Sequence, residues 1–356
     1  MLSFRENLAN IGIDPNSTVS YRHDFVAAPQ SLRQAILSMQ APASGDWHLH
    51  EPEIHRDEYW TDEVQGVAWD GLNWIFSANA NQGKPGHNDK ALYVFKGGSK
   101  LKDDQCYSRI DYKDVPHPIE STEDDDHWGQ LTYYNGFVYV SHFWETDIWK
   151  GRTSRTNVVV FKDDDSHLEY YNWIQLKEVT PSDGGKPFYP QFQAINPWNG
   201  YLYTCHGDVN TKEFYAHDPK NGEWMGKDTT LRFSGGEKKA RIFIPPGFVD
   251  VDLPSNVQGA CFSPNGHLYI ACDVLLAGNT ERKAIAYFSA LTGHLMGIIR
   301  VVAEEGGHEL EGVCYGDVSF DDGESAQIHA ILLQNRDAAL DNIWFKSFLS
   351  ATPDIV

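Results

Sequence analysis

Two short apolar runs joined by a tight turn form the clearest pattern in this 356-residue chain. Residues 257–262 and 267–272 have the apolar and aromatic composition of strands, and Pro264, Asn265 and Gly266 lie between them. An Asn-Gly pair between such runs favours a type I′ turn, because both residues tolerate positive φ. The pattern therefore predicts a β-hairpin over residues 257–272.

The same hairpin pattern recurs at residues 64–79, 129–142, 192–206 and 310–335. Each copy carries an amide or a carboxyl near the start of its first run: Gln65, Gln130, Gln193, Gln258 and Glu311. These positions are about 65, 63, 65 and 53 residues apart, and each pair of runs is followed by a third apolar run. Fourth runs are visible at residues 168–176 and 294–302. A long period built from short strands is typical of a propeller or an array.

We therefore predict an all-β fold, a five-bladed β-propeller of four-stranded blades over residues 61–356. The fifth unit ends after its third strand, and the alternating residues 17–26 predict a strand that completes this blade and closes the ring. A short helix over residues 31–40 and a His- and acid-rich connector over residues 46–55 fill the rest of the segment 1–60, which forms one domain with the propeller. Two alternatives remain open: six blades, with a degenerate unit in residues 1–60, and an open β-solenoid.

The charge balance narrows the range of partners. The net charge of −21 should repel phosphate backbones and anionic lipid surfaces, so we expect neither nucleic acid nor a membrane as partner. The chain shows no basic-then-apolar leader and no run of about 18 apolar residues, which favours a cytoplasmic location. The five cysteines include no Cys-x-x-Cys pair, which argues against a structural zinc site.

The hairpin of residues 258–273 resembles the blade hairpins of the gluconolactonase, senescence-marker and paraoxonase superfamily of propellers. The likeness covers the first two strands of each blade. It implies a Ca²⁺ or other divalent ion in the central tunnel, held at positions that correspond here to Glu311, Asp273, Asn79 and Asn335. The sequence departs from that pattern at two second-strand ends, which carry His142 and His206, and in its count of blades, since that family normally has six.

The candidate catalytic and binding residues lie where the first strands are expected to line the channel. Glu311 stands where the other copies have Gln, and a carboxyl among amides needs either a perturbed pKa or a cation. We expect Glu311 to act as base or ion ligand, with His142 and His206 assisting. The expected ligand-binding residues are Gln65, Gln130, Gln193, Gln258, His127, His308 and Tyr189. The Gln side chains are equally explained by hydrogen bonds across the tunnel.

Two functional hypotheses are consistent with these positions. The first is an enzyme with one asymmetric polar site at the channel mouth, a divalent-metal-dependent, lactonase-like hydrolase or another acid–base catalyst acting on a small, oxygen-rich or sugar-like substrate. The second is a non-catalytic propeller that binds carbohydrate or protein. The second-strand ends differ between copies, and this favours one composite site over a repeated pocket.

Overall fold

The computed structural model describes residues 47–49, 53–56, 58–79, 90–98, 101–116, 126–144, 157–164, 167–177, 190–197, 200–206, 212–234, 239–244, 247–252, 255–264, 267–276, 280–289, 295–301, 308–320, 323–334 and 340–350. These residues form 23 strands and three short 3-10 turns at Tyr59–Thr61, Asp103–Gln105 and Tyr112–Asp114. No helix among these residues has the length and apolar character that crossing a membrane would need.

The strands form five antiparallel sheets, which we call blades 1 to 5. Two short strands come first, β1 (Trp47–Leu49) and β2 (Glu53–His55). Blade 1 consists of β3 (Val64–Trp69), β4 (Asn73–Ala78), β5 (Ala91–Lys96) and β6 (Cys106–Asp111). Blade 2 consists of β7 (Asp126–Tyr134), β8 (Phe137–Trp144), β9 (Asn157–Asp163) and β10 (Leu168–Gln175).

The remaining three blades vary the same plan. Blade 3 consists of β11 (Pro190–Ile195), β12 (Leu202–His206), β13 (Lys212–His217), β14 (Trp224–Ser234), β15 (Lys239–Ile244) and β16 (Gly247–Asp252). Blade 4 consists of β17 (Ser255–Phe262), β18 (His267–Leu276), β19 (Thr280–Ser289) and β20 (Leu295–Arg300). Blade 5 consists of β21 (His308–Ser319), β22 (Ser325–Gln334) and β23 (Asn342–Ser350), with β1 and β2 added.

The first strands of the blades form the inner ring. β3 contacts β7, β7 contacts β11, β11 contacts β17, β17 contacts β21, and β21 returns to β3. The predicted all-β, five-bladed propeller is therefore confirmed. Blade 3 differs from the predicted four strands, because the long β14 continues past β13 and pairs with the extra hairpin of β15 and β16.

The ring is closed by the N-terminal part of the chain. β1 and β2 both pair antiparallel with β23, with His48 opposite Leu349 and Ile54 opposite Trp344. Closure by an N-terminal strand is thus confirmed, but through the residues that we expected to be a connector. The predicted strand at residues 17–26 and helix at residues 31–40 lie outside the described residues.

Apolar side chains pack between neighbouring blades. Trp60, fully buried, lies 4.7 Å from Phe76 and 5.2 Å from Phe95 between ring centroids, and Phe76 lies 5.7 Å from Phe345 of blade 5. Burying a side chain of this size stabilises the fold by about 1.5–3 kcal/mol. This packing holds blade 1 against blade 5, the blade in which the N-terminal strands close the ring.

Candidate functional site at the mouth of the channel

Every inner strand has an irregularity near its start. The register shifts after Val64, Trp128, Pro190, Ser255 and Leu310, one residue in each blade. In blades 1 and 5 the extra residues are Gln65 and Glu311. A β-bulge redirects the side chain of its extra residue, and bulges are common beside functional sites. Because all blades repeat one strand order, these starts share one end of the ring, which we call the mouth.

Glycines bring the inner strands together on the axis. A Cβ on Gly312 would lie 2.8 Å from Gln130 Oε1 and 3.0 Å from Gly66 Cα, and a Cβ on Gly259 would lie 3.2 Å from Gly312 Cα. Such distances leave no room for a larger residue. Inner strands from blades 1, 2, 4 and 5 therefore converge at this level.

The side chain of Gln130 fills the space that these glycines leave. Its Nε2 donates to the carbonyl oxygens of Val313 at 2.8 Å and Leu131 at 2.9 Å, and it lies 3.3 Å from that of Val67. Gln130 thus bonds across the channel from blade 2 to blades 1 and 5. Its Oε1 and both amide atoms of the buried Gln193 have no hydrogen-bond partner among the described residues. Buried amide atoms of this kind ordinarily bond to water or ligand.

Glu311 carries the most strongly perturbed carboxyl at the mouth. Its side chain is 3% exposed, although it belongs to the bulge of β21. Burial raises its pKa well above the ordinary value. The hydrogen bond that the Glu311 carboxyl donates to Glu309 and the charges of Glu309 and Glu63 also raise this pKa, while Lys283 lowers it. Two carboxyl groups that share a hydrogen bond cannot readily both ionise. Glu311 therefore holds the proton of the pair, while the Glu309 side chain is exposed.

Glu63, the third acid of this group, has an unusual backbone conformation. Its φ is 52°, in the left-handed region that few non-glycine residues adopt. The Asp341 carboxylate accepts its N–H at 3.1 Å, and its carbonyl accepts the N–H of Asn79 at 3.0 Å. These bonds hold Glu63 at the entry to β3.

A second polar pair lies on blades 1 and 2 of the mouth. His127 Nε2 is 2.8 Å from Gln65 Oε1, and both side chains are half-buried. An amide oxygen can only accept, so the His127 Nε2 carries the hydrogen. Gln258 is also half-buried, in the irregular part of β17. The bulges thus present Gln65, Gln258 and Glu311 at the mouth, whereas Gln130 lies at the level of the glycines.

The histidines expected near Glu311 occupy different surroundings. His142 is fully buried, with Nε2 3.0 Å from the Tyr112 hydroxyl and its ring 4.9 Å from that of Trp173. His308 is buried with its ring 4.5 Å from that of Trp344. His206 pairs in register with Pro190 at the start of blade 3. The structure therefore brings His127, but not His142, to the same polar surface as Gln65.

The expected metal ligands do not form a set that fits a divalent cation. Both the Nδ2 and the Oδ1 of Asn79 are hydrogen-bonded to the Trp128 backbone, and Glu311 shares a proton with Glu309. Asp273 pairs in register with Ser255, and Asn335, like Tyr189, lies outside the described residues. Across the part of the chain that the structure describes, no three His, Cys, Asp or Glu side chains are grouped to hold a metal. We therefore derive no chemistry through a bound cation.

Three residues of the site were missed in the sequence: Glu309, Glu63 and Lys283. Glu309 lies only two residues before Glu311, but it carries no repeat position that would mark it. Lys283 belongs to the third strand of the neighbouring blade, so only the folded arrangement shows its proximity. Glu63 lies just before the first repeat and had no pattern to mark it.

Comparison with known proteins gives likenesses of fold only. No protein-family model matches the chain, and no curated protein sequence matches it significantly. Among solved structures, the RS223 β-xylosidase is 12% identical with a TM-score of 0.47, covering 85% of this chain and 96% of its own. A glucose dehydrogenase is 16% identical with a TM-score of 0.39, covering 85% and 100%.

A bifunctional GH43-CE protein of Bacteroides eggerthii is 12% identical with a TM-score of 0.44, over 83% of this chain. The chain spans only 34% of that longer protein. A shared fold does not imply a shared function. The function is therefore argued from the mouth itself.

Proposed function

We propose that the chain is an enzyme that hydrolyses a small, oxygen-rich ester or lactone at the mouth by acid–base catalysis. The observation that supports this most is the buried Glu311 carboxyl, which is hydrogen-bonded to Glu309 on the same strand. Burial and a neighbouring like charge are the means by which enzymes keep one carboxyl protonated near neutral pH. Glu311 is the extra residue of a bulge in β21, and bulges are common beside functional sites.

The two carboxyl groups have complementary roles in this mechanism. Glu309, which is exposed, takes a proton from a water molecule whose oxygen bonds to the substrate carbonyl carbon. Glu311 donates its proton to the alkoxide oxygen as the bond between that oxygen and the carbonyl carbon breaks. Afterwards the proton on Glu309 passes to Glu311 along their shared hydrogen bond, which restores the starting state. No other reactant is needed.

The closeness of the pair favours esters or lactones over glycosides. Carboxyl groups that flank a glycosidic bond are about 5–5.5 Å apart in retaining enzymes and about 6.5–9.5 Å apart in inverting enzymes. Glu309 and Glu311 bond to each other directly, so a sugar ring cannot lie between them. A water molecule attacking a carbonyl from one side needs no such gap.

Neighbouring groups supply charge and positioning. Lys283 lies close enough to Glu311 to lower its pKa, and an ammonium in that place would stabilise the oxyanion that develops on the substrate carbonyl. The His127 and Gln65 pair offers donors and acceptors for substrate hydroxyls on the facing blades. The site would thus bind a polar substrate in one orientation.

The proposal is tested by turnover of δ- and γ-lactones and of p-nitrophenyl esters by wild type, Glu311→Gln and Glu309→Gln. Each substitution should lower kcat by about 10²–10⁴-fold, because each removes one partner of the proton transfer. Glu169→Gln, an exposed acid on β10, is the matched control and should keep full activity. Undiminished turnover by Glu311→Gln contradicts the mechanism, and no turnover of any substrate by wild type supports the non-catalytic alternative.

Stability gives an independent measure of the same acid. The unfolded Glu311 has an ordinary pKa of about 4.3, and the folded value is higher, so the folded state binds one more proton between the two. Folding stability therefore decreases as pH rises through this window, by about 1.4 kcal/mol per pH unit from this group. Glu311→Gln should gain stability over wild type from pH 4.5 to pH 7.5 in urea unfolding. A constant difference would show that Glu311 is ionised in the folded protein.

A further inference from the structure

A large cavity lies between blades 2 and 3, at the end of the propeller opposite the mouth. Its volume is about 760 Å³, within the range of small-molecule sites. It is bounded by the β7–β8 turn, by β10, by the start of β12 and by the β13–β14 turn. We call it the blade 2–3 cavity. β7 begins at the mouth and ends at this cavity, so the two places are separated by the length of an inner strand.

Five aromatic side chains line this cavity: Tyr134, Phe137, Tyr139, Tyr171 and Tyr201. Tyr171 is 60% exposed, with its ring centroid 5.0 Å from that of Phe137 and tilted by 58°. Tyr171 is also the extra residue of a bulge, since the β10 register shifts between Tyr170 and Asn172. The bulge therefore turns a large aromatic ring out of the regular strand and toward the cavity.

Tyr134 and Tyr171 lie close enough to Tyr139 to affect its pKa. Burial, with smaller contributions from Tyr134 and Tyr171, raises the pKa of Tyr139 to about 12. A tyrosine hydroxyl can both donate and accept a hydrogen bond. Gly200 leaves space beside Tyr134, since a Cβ there would lie 3.7 Å from its hydroxyl oxygen.

The polar groups at the rim are balanced in charge. Asn135 and Asn172 are exposed amides, and Asp218 and Lys220 place one carboxylate and one ammonium beside each other on the β13–β14 turn. The Lys220 N–H donates to Asp218 Oδ1 at 2.9 Å, which fixes this turn. The Lys220 ammonium repels a cationic ligand. The Asp218 carboxylate and the overall charge of −21 repel an anionic ligand. The rim therefore suits a neutral ligand with many hydroxyl groups.

We propose that the blade 2–3 cavity binds a neutral oligosaccharide of two or three units. A pyranose ring has an apolar face of C–H groups, which would stack on Tyr171 and Phe137, and an edge of hydroxyls, which would bond to the phenols and amides. Aromatic rings with polar tips serve both kinds of contact. The cavity has room for more than one sugar ring. Because it lies at the other end of the propeller, this inference stands or fails independently of the proposed hydrolysis.

The test is calorimetric titration of the full-length protein with maltotriose, cellotriose and xylotriose, and with choline as a cationic probe. We expect at least one trisaccharide to bind with a Kd of about 1 mM or below. Tyr171→Ala should weaken binding about tenfold through loss of the stacking surface, and Tyr171→Phe should retain most of it. Tyr59→Ala, which removes a tyrosine 44% exposed on another part of the surface, is the matched control and should bind like wild type.

Three outcomes would overturn the assignment: no trisaccharide binds at about 10 mM, Tyr171→Ala binds as well as wild type, or choline binds and the sugars do not. Tyr171 is largely exposed, so its variants should fold, and a urea unfolding curve verifies this. Hydrolysis at the mouth should be unchanged in Tyr171→Ala. A loss of hydrolysis together with sugar binding would show instead that the cavity and the mouth are one coupled site.

Discussion

Asn79 bonds to both backbone polar groups of Trp128. Its Nδ2 donates to the Trp128 carbonyl and its Oδ1 accepts the Trp128 N–H, each at 2.8 Å. Asn79 comes directly after the second strand of blade 1, and Trp128 stands beside the bulge at the start of blade 2. The register of β7 and β8 shifts after Trp128, and the Trp128 N–H and carbonyl bond outside β8. The Asn79 amide supplies the partners that a neighbouring strand would otherwise give. It thereby joins blade 1 to blade 2.

Asn79→Ala should destabilise the fold by about 2–4 kcal/mol, because it leaves a buried N–H and a buried carbonyl without partners. Asn79→Asp should be nearly as harmful, since a carboxylate can accept the N–H but repels the carbonyl oxygen. Urea unfolding measures both, with the exposed Asn172→Ala as the control. If Asn79 were instead a calcium ligand, Asn79→Asp would unfold at higher urea when calcium is added, and that result would contradict the structural role.

His217 should make the fold sensitive to acid. Its side chain is fully buried on β13, and its Nδ1 donates to the Gly222 carbonyl at 3.2 Å. Burial lowers its pKa to about 4, although the bond to Gly222 opposes this. Between an unfolded pKa of about 6.5 and the folded value, only the unfolded state binds the proton, so stability is lost as pH falls through that window. The loss amounts to about 3 kcal/mol.

The measurement is urea unfolding of wild type and His217→Asn between pH 7.5 and pH 4.5. Asn keeps a donor near the position of Nδ1 but does not titrate in this range. Wild type should be the more stable protein at pH 7.5, and its advantage should shrink as pH falls. An advantage that stays constant with pH would mean that His217 titrates alike in both states.

Features set by nearby residues were predictable from the sequence. Asn135 and Gly136 adopt φ angles of 52° and 82°, as the Asn-Gly pattern requires for a type I′ turn. The Asn265–Gly266 turn lies outside the described residues, but the strands on either side of it form as predicted. The closing strands β1 and β2 have three residues each, too few for an alternating pattern. Their pairing depends on β23, about 300 residues away in the chain, which no local pattern encodes.

The site was predictable in part for the same reason. Glu311 stands out as the one acid among four amides at the start of the repeats. The alignment that identified it treats all five positions as equivalent, but a bulge inserts a residue and shifts the register of the strand beyond it. Gln65 and Glu311 occupy bulges, while Gln130 occupies the level of Gly66 and Gly312. Residue spacing alone cannot show whether a residue lies in a bulge or at the position of Gly66 and Gly312 along the inner strand.

The packing of Gly312 against Gln130 predicts a non-additive pair of substitutions. Gly312→Ala places a methyl group 2.8 Å from Gln130 Oε1 and 3.0 Å from Gly66 Cα, so the axis must expand or the Gln130 side chain must move. Moving Gln130 breaks its bond to the Val313 carbonyl. We expect Gly312→Ala alone to cost about 2–4 kcal/mol.

In the Gln130→Ala background the amide is already absent, so Gly312→Ala should meet only the backbone of blade 1 and cost less. The coupling between the two sites should be about 1–2 kcal/mol, as expected for residues in direct contact. Urea unfolding of the two single variants and the double variant gives this coupling. Glu169→Gln, an exposed substitution on β10, serves as the additive control. Equal costs of Gly312→Ala in both backgrounds would show that Gln130 does not fill the axis in solution.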